Sequence, residues 1–477
     1  MIRGTVSRAV TMPKRVRSLL RVLALALPLI WAPSTWAAPT PMAAAAQRET
    51  VRNSFVHLAN GVPGVLYEPA QPGPKAQTAV FIMHSSADYL TFSGCTELAR
   101  RGYRVLCANN STSKSGVSND GALDQVLLEV KAAVTWLRRA PGVEHVVLLG
   151  HSGGGTVMSA YQFIAEGGVT ACRTAEKIWK CPDSLAGLPA ADGLMMIDSN
   201  WGLAAMTLFS IDPAVRDEAR GTTLDPALDM YEPANGFRET GSTYSPIFAK
   251  AFLQAEGRRN TALISHAEAM LASIDAGKGP YRDDAPFVVP GAILLGSNNK
   301  LFSQDVGLMA HTRKAWPLIH ADGSVTVQIV PTVRVAENVR SQSPSLIRGA
   351  LKTTVRNYLN SYAIRTGADF GYDAQSVRGV EWTSTYASPP GNVQGVSVPL
   401  LVLGMTGHWE FLAAETIYDL ARSRDKSIAF IEGATHLYTT CSKCEPHPGA
   451  FGDTLATTYD AIDRWLAKPK RFASNQK

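Results

Sequence analysis

The chain has 477 residues, of which 45% are hydrophobic and 18% are charged, a composition that is ordinary for globular proteins and ample for a large core. Its formal net charge of +6 resides in the amino terminus, because the first 38 residues hold six of the 46 basic side chains and no acidic one. The rest of the chain has 40 basic and 40 acidic residues, so its charges balance. Its net charge therefore offers no reason to expect binding to nucleic acid or to anionic membranes.

Residues 1–38 have the pattern of a secretory signal peptide. Basic residues precede an apolar run at 22–31, and the sequence Thr-Trp-Ala-Ala at 35–38 offers small residues for cleavage. The run is shorter than the roughly 20 residues that a membrane-spanning helix needs. We therefore expect an exported protein, periplasmic or extracellular after cleavage, without stable membrane insertion.

The six cysteines fit an oxidising compartment. Nearness in the sequence favours the pairs Cys172–Cys181 and Cys441–Cys444, with Cys95–Cys107 as a further pair between a helix and the next strand. The Cys-x-x-Cys at 441–444 also resembles half of a zinc site or a redox dithiol. No second Cys-x-x-Cys exists and no thioredoxin-like β-α-β pattern surrounds this one, so a local disulfide is preferred.

After a linker at 39–54, the chain alternates between strand and helix patterns. Residues 55–67 are predicted to form a short hairpin with Asn60-Gly61 at its turn. Strand, helix, strand and helix patterns then follow at 78–83, 94–101, 103–107 and 121–139. This alternation predicts a parallel sheet with right-handed crossovers.

The segment 144–163 contains the clearest candidate for a catalytic group. The apolar, β-branched run at 146–149 predicts a buried strand that ends at Gly150, and helical spacing follows. Between them lies Gly-His-Ser-Gly-Gly, a G-x-S-x-G motif at a strand-to-helix turn, which exposes its serine at the tip of a sheet. Ser152 is therefore the candidate nucleophile, and the Gly153 amide can face a developing oxyanion. The alternative is an ordinary glycine-rich turn.

This stretch resembles the nucleophile elbow of the α/β-hydrolase superfamily, and the resemblance covers about residues 55–200 and 393–468. It implies an α/β fold with a mostly parallel central sheet flanked by helices. It also implies a serine hydrolase whose catalytic groups follow in the chain order serine, acid, histidine, with no cofactor and no metal.

The alternation stops after one more strand at 193–197. Helical segments and loops fill residues 200–392, with helix patterns at 246–255, 261–274 and 347–364. The resemblance implies a large, mainly helical cap inserted at this point, after the strand that follows the nucleophile helix. An independent second domain is the alternative. The predicted core thus comprises residues 55–199 and 393–468, followed by a tail at 469–477.

The core pattern resumes with strands at 398–403 and 428–431 and helices at 411–423 and 453–466. The resemblance places the catalytic histidine in the loop after the last strand. The sequence there is Glu-Gly-Ala-Thr-His, which makes His436 the candidate general base.

Two carboxylates compete for the third catalytic role. The resemblance places an aspartate in the loop after strand 398–403, but this loop carries His408 near the usual position and Glu410 as the nearest acid. Asp198, at the end of strand 193–197, occupies the position that other branches of the superfamily use. Glu410 is the preferred acid and Asp198 the second candidate. The alternatives are a helix acid that complements the dipole for Glu410 and a helix N-cap for Asp198.

The resemblance also indicates the remainder of the site. A second oxyanion donor is expected after strand 78–83, where the Ser86 amide is preferred and Ser85 comes next. Six residues flank the catalytic positions as candidate substrate contacts: His84, Ser85, His151, Trp201, His408 and Trp409. Tryptophans more often pack in cores, and a histidine inside the elbow is usually structural.

Together these features predict an exported carboxylesterase or lipase-like serine hydrolase that acts on small or polymeric esters. A peptidase, an amidase or an acyltransferase with the same triad is the alternative. A non-catalytic binding protein of this fold is the alternative from a different class.

Overall fold

The computed structural model describes residues 51–114, 120–293, 300–336 and 349–472. The predicted signal peptide, most of the linker and the end of the tail lie outside these ranges. The described residues contain one ten-stranded sheet and two two-stranded sheets.

The strands are β1 (Val51–His57), β2 (Pro63–Pro69), β3 (Thr78–Ile82), β4 (Arg104–Ala108), β5 (His145–His151), β6 (Gly193–Ile197), β7 (Pro286–Pro290), β8 (His311–Ile319), β9 (Val325–Pro331), β10 (Ala350–Thr354), β11 (Thr366–Tyr372), β12 (Val377–Val380), β13 (Leu400–Met405) and β14 (Lys426–Ile431).

The α-helices are α1 (Ser93–Arg100), α2 (Leu123–Arg139), α3 (Gly154–Ala171), α4 (Leu203–Leu208), α5 (Pro246–Asp275), α6 (Leu301–Gln304), α7 (Val355–Asn357), α8 (Pro389–Asn392), α9 (Phe411–Leu420) and α10 (Thr454–Leu466). A π-helical turn spans Tyr358–Tyr362, and short 3-10 turns occupy Ala59–Gly61, Pro74–Gln77, Asp183–Leu185, Pro233–Asn235 and Trp382–Ser384.

The order of strands in the main sheet identifies the fold. The order is β1-β2-β4-β3-β5-β6-β13-β14-β8-β9. Strand β2 is antiparallel to both of its neighbours, whereas every pair from β4 to β8 in this order is parallel. The first eight strands therefore have the order of the α/β-hydrolase fold, and the predicted fold class is confirmed.

The core lies on both faces of this sheet. Along β5, Val146 and Leu148 pack on the face that α2, α3 and α9 cover, whereas Val147 and Leu149 pack on the face that α1 and α10 cover. All four side chains are fully buried, and burial of each stabilises the fold by about 1.5–3 kcal/mol. Because both faces are covered, β5 is a continuous apolar run, and its carboxyl end is held rigidly below the candidate nucleophile.

The segment between β6 and β13 differs from the helical pattern predicted for it. It contains β7 to β12 as well as α4 to α8, and β8 pairs with the end of β14, so the hairpin β8–β9 extends the main sheet. The two helices predicted at 246–255 and 261–274 are one continuous helix, α5. The role of this segment as a cap stays a prediction.

The prediction of a helix at 347–364 is wrong for the first residues of this range that the structure describes. Strand β10 occupies residues 350–354 and pairs with β7 in the register Leu351↔Val289. Leu351 is buried through this pairing, so a tertiary contact decides the local structure. The remainder forms α7 and the π-helical turn.

The structure pairs all six cysteines as the sequence predicts. Cys95 on α1 bonds Cys107 on β4, Cys172 bonds Cys181, and Cys441 bonds Cys444. No helix within the described ranges is long and apolar enough to cross a membrane.

Candidate active site

Ser152 lies at a strained turn between β5 and α3. Its φ of +53° is in the left-handed region, which a non-glycine residue rarely adopts. Its N–H donates to the carbonyl oxygen of Asp198 at 3.2 Å, and its own carbonyl accepts from Gly155 at 3.0 Å. The side chain is half-buried, so the turn presents a hydroxyl at the edge of the sheet. This is the backbone that a nucleophile elbow requires.

Gly150 is required because α3 passes close to the end of β5. A Cβ atom on Gly150 would lie 2.6 Å from Cα of Gly155 and 2.9 Å from the carbonyl oxygen of Gly154. Both neighbours are backbone atoms and cannot rotate away. The elbow therefore depends on the absence of a side chain at this position.

We expect Gly150→Ala to destabilise the protein by about 1–3 kcal/mol, since the added methyl must displace the backbone of α3. Gly73→Ala is the matched control, because a Cβ there meets no atom within 4 Å and the backbone is extended. Urea denaturation followed by tryptophan fluorescence measures the free energy of unfolding. Equal stability of the two variants would contradict the close approach of α3 to β5.

His436 lies in a tight loop after β14 and is held by Asp198. The Nδ1 atom of His436 lies 2.7 Å from Oδ2 of Asp198, and Oδ1 of Asp198 accepts from the Met405 amide at 3.0 Å. The Asp198 side chain is fully buried, and its φ of +43° is also left-handed. Two fixed partners therefore orient this carboxylate toward the imidazole. Within the described part of the chain, the Ser152 hydroxyl makes no hydrogen bond.

Glu410 reaches the same imidazole without hydrogen bonding to it. Its Oε2 lies 3.4 Å from Nδ1 of His436 but makes no hydrogen bond, and its Oε1 lies 3.5 Å from Nδ2 of Asn200. The sequence favoured Glu410 as the acid, whereas the geometry gives the hydrogen bond to Asp198. The structure thus brings both candidate acids to one histidine.

Burial and charge shift the pKa values of these three groups. Burial raises the pKa of Glu410 to about 7 and also raises that of Asp198, although the hydrogen bond from His436 opposes the latter shift. Burial lowers the pKa of His436, but the charges of Glu410 and Asp198 and the hydrogen bond to Asp198 outweigh it and raise the pKa to about 9. The two carboxylates therefore favour the protonated form of the imidazole.

This protonation predicts an alkaline rise in any reaction that uses His436 as a base. In kcat/KM, activity is lost below the pKa of the free enzyme's base, so the acid limb should lie above the ordinary histidine pKa of about 6.5. Glu410→Gln removes the charge that contributes most to raising the pKa of His436, and we expect the limb to move to lower pH.

The measurement is kcat/KM for an activated ester across the pH range, fitted to one acid limb for each protein. Glu239→Gln is the matched control, because Glu239 is exposed on the surface. A limb that stays in place in the Glu410→Gln variant would contradict the electrostatic role of Glu410.

His151 supports the histidine loop from inside the elbow. Its Nε2 donates to the carbonyl oxygen of His436 at 2.7 Å, and its Nδ1 accepts from the Tyr89 hydroxyl. Burial, assisted by the charge of His436, lowers the pKa of His151 well below 6.5, so this ring stays neutral. These two hydrogen bonds tie His151 to the histidine loop and to Tyr89, and the substrate contact that the sequence indicated stays a prediction. Tyr89 was not identified from the sequence, because it carries no motif.

The expected oxyanion donor Ser86 has another partner. Its amide donates to Nδ1 of His84 at 3.1 Å, as does the Ala87 amide at 2.8 Å. In the described chain the amides of Gly153 and Ser85 make no hydrogen bond, and the buried Ser85 hydroxyl has no partner. A Cβ on Gly153 would lie 2.3 Å from that hydroxyl. The polar groups available beside the elbow are therefore those of Gly153 and Ser85.

The remaining candidate substrate contacts occupy different surroundings. His84 lies beside Gly153, since its Nε2 is 3.2 Å from where a Gly153 Cβ would be. His408 stacks on His436 with ring centroids 4.6 Å apart, and Trp409 packs between His408 and Phe302. Trp201 is fully buried against Phe209, so core packing replaces the predicted role in lining a pocket.

Two cavities lie away from the candidate catalytic residues. One of about 780 Å³ lies between β2 and α2, near Leu66 and Trp136. The other, of about 560 Å³, lies between α5 and β11, near Leu253 and Phe370. Neither cavity is lined by Ser152 or His436.

No protein-family model matches the sequence, and no curated protein matches it. The chain is similar to several solved structures. Brefeldin A esterase, a bacterial homologue of human hormone sensitive lipase, is 13% identical over 94% of this chain and 81% of its own, with a TM-score of 0.39.

Two further structures are similar to this chain. The α/β hydrolase GrgF from Penicillium sp. sh18 is 12% identical over 88% of this chain and 98% of its own, with a TM-score of 0.37. The proline iminopeptidase of Mycobacterium smegmatis is 12% identical over 88% of this chain and 99% of its own, with a TM-score of 0.36. At these scores the likeness carries no argument about chemistry, and the fold assignment rests on the strand order and register.

Proposed function

We propose that this α/β-hydrolase-fold protein is an exported serine hydrolase that cleaves carboxylic esters through Ser152, His436 and Asp198. One observation carries the proposal. The strained serine of a strand-to-helix elbow lies on the same sheet edge as a histidine whose Nδ1 is hydrogen-bonded to a fully buried aspartate. Such a constellation serves to activate a hydroxyl.

The proposed reaction begins with attack of the Ser152 hydroxyl oxygen on the acyl carbon of the ester. His436 accepts the hydroxyl proton at Nε2, and Asp198 stabilises the imidazolium that results. The proton then passes to the leaving alcohol, and an acyl-enzyme forms on Ser152. Water attacks this ester in the second half, again through His436, and regenerates the free serine.

The negative oxygen of each tetrahedral intermediate needs two donors. The Gly153 amide at the N-terminus of α3 is the first. The second comes from Ser85, whose amide and buried hydroxyl are without partners in the described chain. Ser85 replaces Ser86 in this role, because the Ser86 amide already donates to His84.

The free Ser152 hydroxyl is compatible with this mechanism. In enzymes without substrate, catalytic hydrogen bonds are often long or misaligned and tighten only in the complex. The nearby carboxylates favour the imidazolium form of His436, and a protonated Nε2 has no lone pair for the serine proton. Activity therefore requires the neutral imidazole, which alkaline pH supplies.

Export is proposed from two independent features. The first 38 residues have the order of a signal peptide, with basic residues before a short apolar run. The three disulfides need an oxidising compartment to persist. Protein recovered from a periplasmic or culture fraction should lack the leader on intact-mass analysis, and retention of the leader there would contradict this part of the proposal.

A fluorophosphonate probe tests the activated serine directly. We expect covalent labelling at pH 8–9 that peptide mass spectrometry maps to Ser152, because only an activated serine attacks the probe. Nitrophenyl esters of graded chain length, tested beside a nitroanilide, then measure ester against amide cleavage. Labelling with hydrolysis of the anilide alone would favour a peptidase, and absence of any labelling would favour a binding protein.

A further inference from the structure

The two candidate acids and His436 lie beside a second histidine, His408, and we call these four residues the acid–histidine cluster. Asp198, His408, Glu410 and His436 each place one potential ligand atom within 4.8 Å of all the others. Two nitrogens and two carboxylate oxygens thus converge on one small region. All four groups come from loops at the carboxyl ends of the adjacent strands β6, β13 and β14.

The distances between the four ligand atoms resemble those of a tetrahedral zinc site. Nitrogen and oxygen ligands lie about 2.0–2.1 Å from Zn²⁺, so any two of them are about 3.4 Å apart. In the cluster, Nδ1 of His436 lies 2.7 Å from Asp198 and 3.4 Å from Glu410, and Nδ1 of His408 lies 3.8 Å from Asp198. The other separations in the cluster are at most 4.8 Å, so movements of about 1 Å would bring the four atoms to tetrahedral spacing. Imidazole ligands favour zinc, copper and nickel over magnesium or calcium.

Glu410 supplies an independent indication of a missing ligand. Its side chain is only 6% exposed, and its Oε2 atom points toward the cluster without a hydrogen bond. Burying a carboxylate oxygen without a hydrogen bond is costly even with the imidazole of His436 3.4 Å away, and a cation bound directly by Glu410 and Asp198 would reduce that cost. Two polar contacts oppose binding: the hydrogen bond of 2.7 Å between Nδ1 of His436 and Asp198, whose proton the ion must replace, and a long contact of 3.4 Å from the Glu410 amide to Nδ1 of His408.

We propose that Asp198, His408, Glu410 and His436 form a binding site for a divalent transition-metal ion of the zinc type. We also propose, on the basis of the hydrolase function proposed above, that the bound ion inhibits hydrolysis reversibly. The ion replaces the proton on Nδ1 of His436, so that the neutral ring carries its proton on Nε2. That nitrogen then cannot accept the proton of Ser152. Removal of the ion restores the hydrogen bond from Nδ1 to Asp198.

No sequence pattern predicts this site. Asp198 lies 238 residues before His436 in the chain, and the four ligands do not form a contiguous metal-binding motif. Only the convergence of parallel strands brings them together. The resemblance to α/β-hydrolases implied no metal, and the proposal departs from that expectation.

Calorimetry and visible absorption test the binding independently of catalysis. The full-length protein, freed of metal with a chelator that is then removed, is titrated with Zn²⁺ or with Co²⁺. We expect one ion per chain and the visible absorption of tetrahedral Co²⁺. His408→Ala and Glu410→Gln should each weaken the affinity about 10- to 100-fold or more, since even outer partners of a metal ligand contribute that much.

A second histidine–glutamate pair outside the cluster provides the control. Nδ1 of His320 lies 2.6 Å from Oε2 of Glu432, and both side chains are partly exposed. His320→Ala should leave metal affinity unchanged, and thermal melting verifies that each variant is folded. Absence of a one-to-one complex, or equal affinity in all variants, overturns the site.

Ester hydrolysis measured with and without Zn²⁺ tests the inhibition. We expect activity to fall as the ion binds and to return when a chelator is added. In the His408→Ala variant, a higher metal concentration should be needed to halve the rate measured for that variant without metal. Tight binding with undiminished hydrolysis overturns the inhibitory role alone. Tight binding in a protein without esterase activity supports the site and refutes the proposed function, so the two failures are distinct.

Discussion

Ser152→Ala is expected to lower kcat for ester hydrolysis by about 10⁴- to 10⁶-fold, the range of losses when a catalytic serine is removed from a triad. No other group in the proposed mechanism can form the acyl-enzyme. The small residual rate would come from the oxyanion donors and from substrate binding. The alanine fits the same space, because it deletes only a half-buried hydroxyl that makes no hydrogen bond in the described chain.

The measurement is the initial rate with an activated ester at alkaline pH, supported by fluorophosphonate labelling. Ser54→Ala is the matched control, because Ser54 is exposed on β1, which is an edge strand of the main sheet. The Ser54→Ala variant should hydrolyse the ester at the rate of the unmodified protein. A Ser152→Ala protein that is folded and retains more than about a hundredth of the activity would place the nucleophile elsewhere.

The elbow could be predicted because its signals are local. The apolar run of β5, the glycines of the turn and the helical spacing of α3 are contiguous, so the sequence shows strand, turn and helix together. Gly150 is required by contacts with Gly154 and Gly155, only a few residues away. His436 was predicted differently, because the resemblance to α/β-hydrolases places the histidine in the loop after the last strand of the core.

The choice between the two acids is not local, and for that reason the sequence could not make it. Strands β6 and β13 are adjacent and parallel, with Ile197 paired to Leu403. Their following loops therefore leave the sheet at the same level and deliver Asp198 and Glu410 to one imidazole. Which carboxylate accepts the hydrogen bond depends on the Met405 amide, a backbone group that no sequence pattern reports.

The strands between β6 and β13 were missed for a different reason. Val325, Val327 and Ile329 alternate with polar residues along β9, which is the usual strand signal. All three side chains are exposed. The apolar face of β9 therefore does not face a core, and the alternation alone did not indicate that the hairpin extends the main sheet. Strand β10 has a pattern that fits either a strand or a helix, and its pairing with β7 decides between them.

Asp198→Asn is expected to lower kcat by about 10³- to 10⁴-fold, as the corresponding change does in other serine-histidine-aspartate enzymes. The Met405 amide donates to Oδ1 of Asp198, and the asparagine oxygen should retain that bond. The NH₂ group then faces Nδ1 of His436 and favours the tautomer that is protonated at Nε2. That tautomer cannot accept the serine proton, although the fold and the position of the ring are preserved.

Glu410 determines how large this loss becomes. Its carboxylate lies 3.4 Å from Nδ1 of His436 and favours a proton there, which partly opposes the effect of the asparagine. The double variant Asp198→Asn with Glu410→Gln should therefore lose more activity than the product of the two single losses, because each acid supports the ring when the other is absent.

Stopped-flow or initial-rate kinetics of the four proteins complete this cycle, with Asp322→Asn in the exposed turn before β9 as the matched control. Asp322 accepts from the Ser324 amide, a bond that asparagine can also accept, so the control should retain full activity. A reversed ranking, in which Glu410→Gln abolishes turnover while Asp198→Asn keeps more than about a tenth of it, would make Glu410 the catalytic acid. The hydrogen bond between His436 and Asp198 would then serve to hold the loop rather than to set the tautomer.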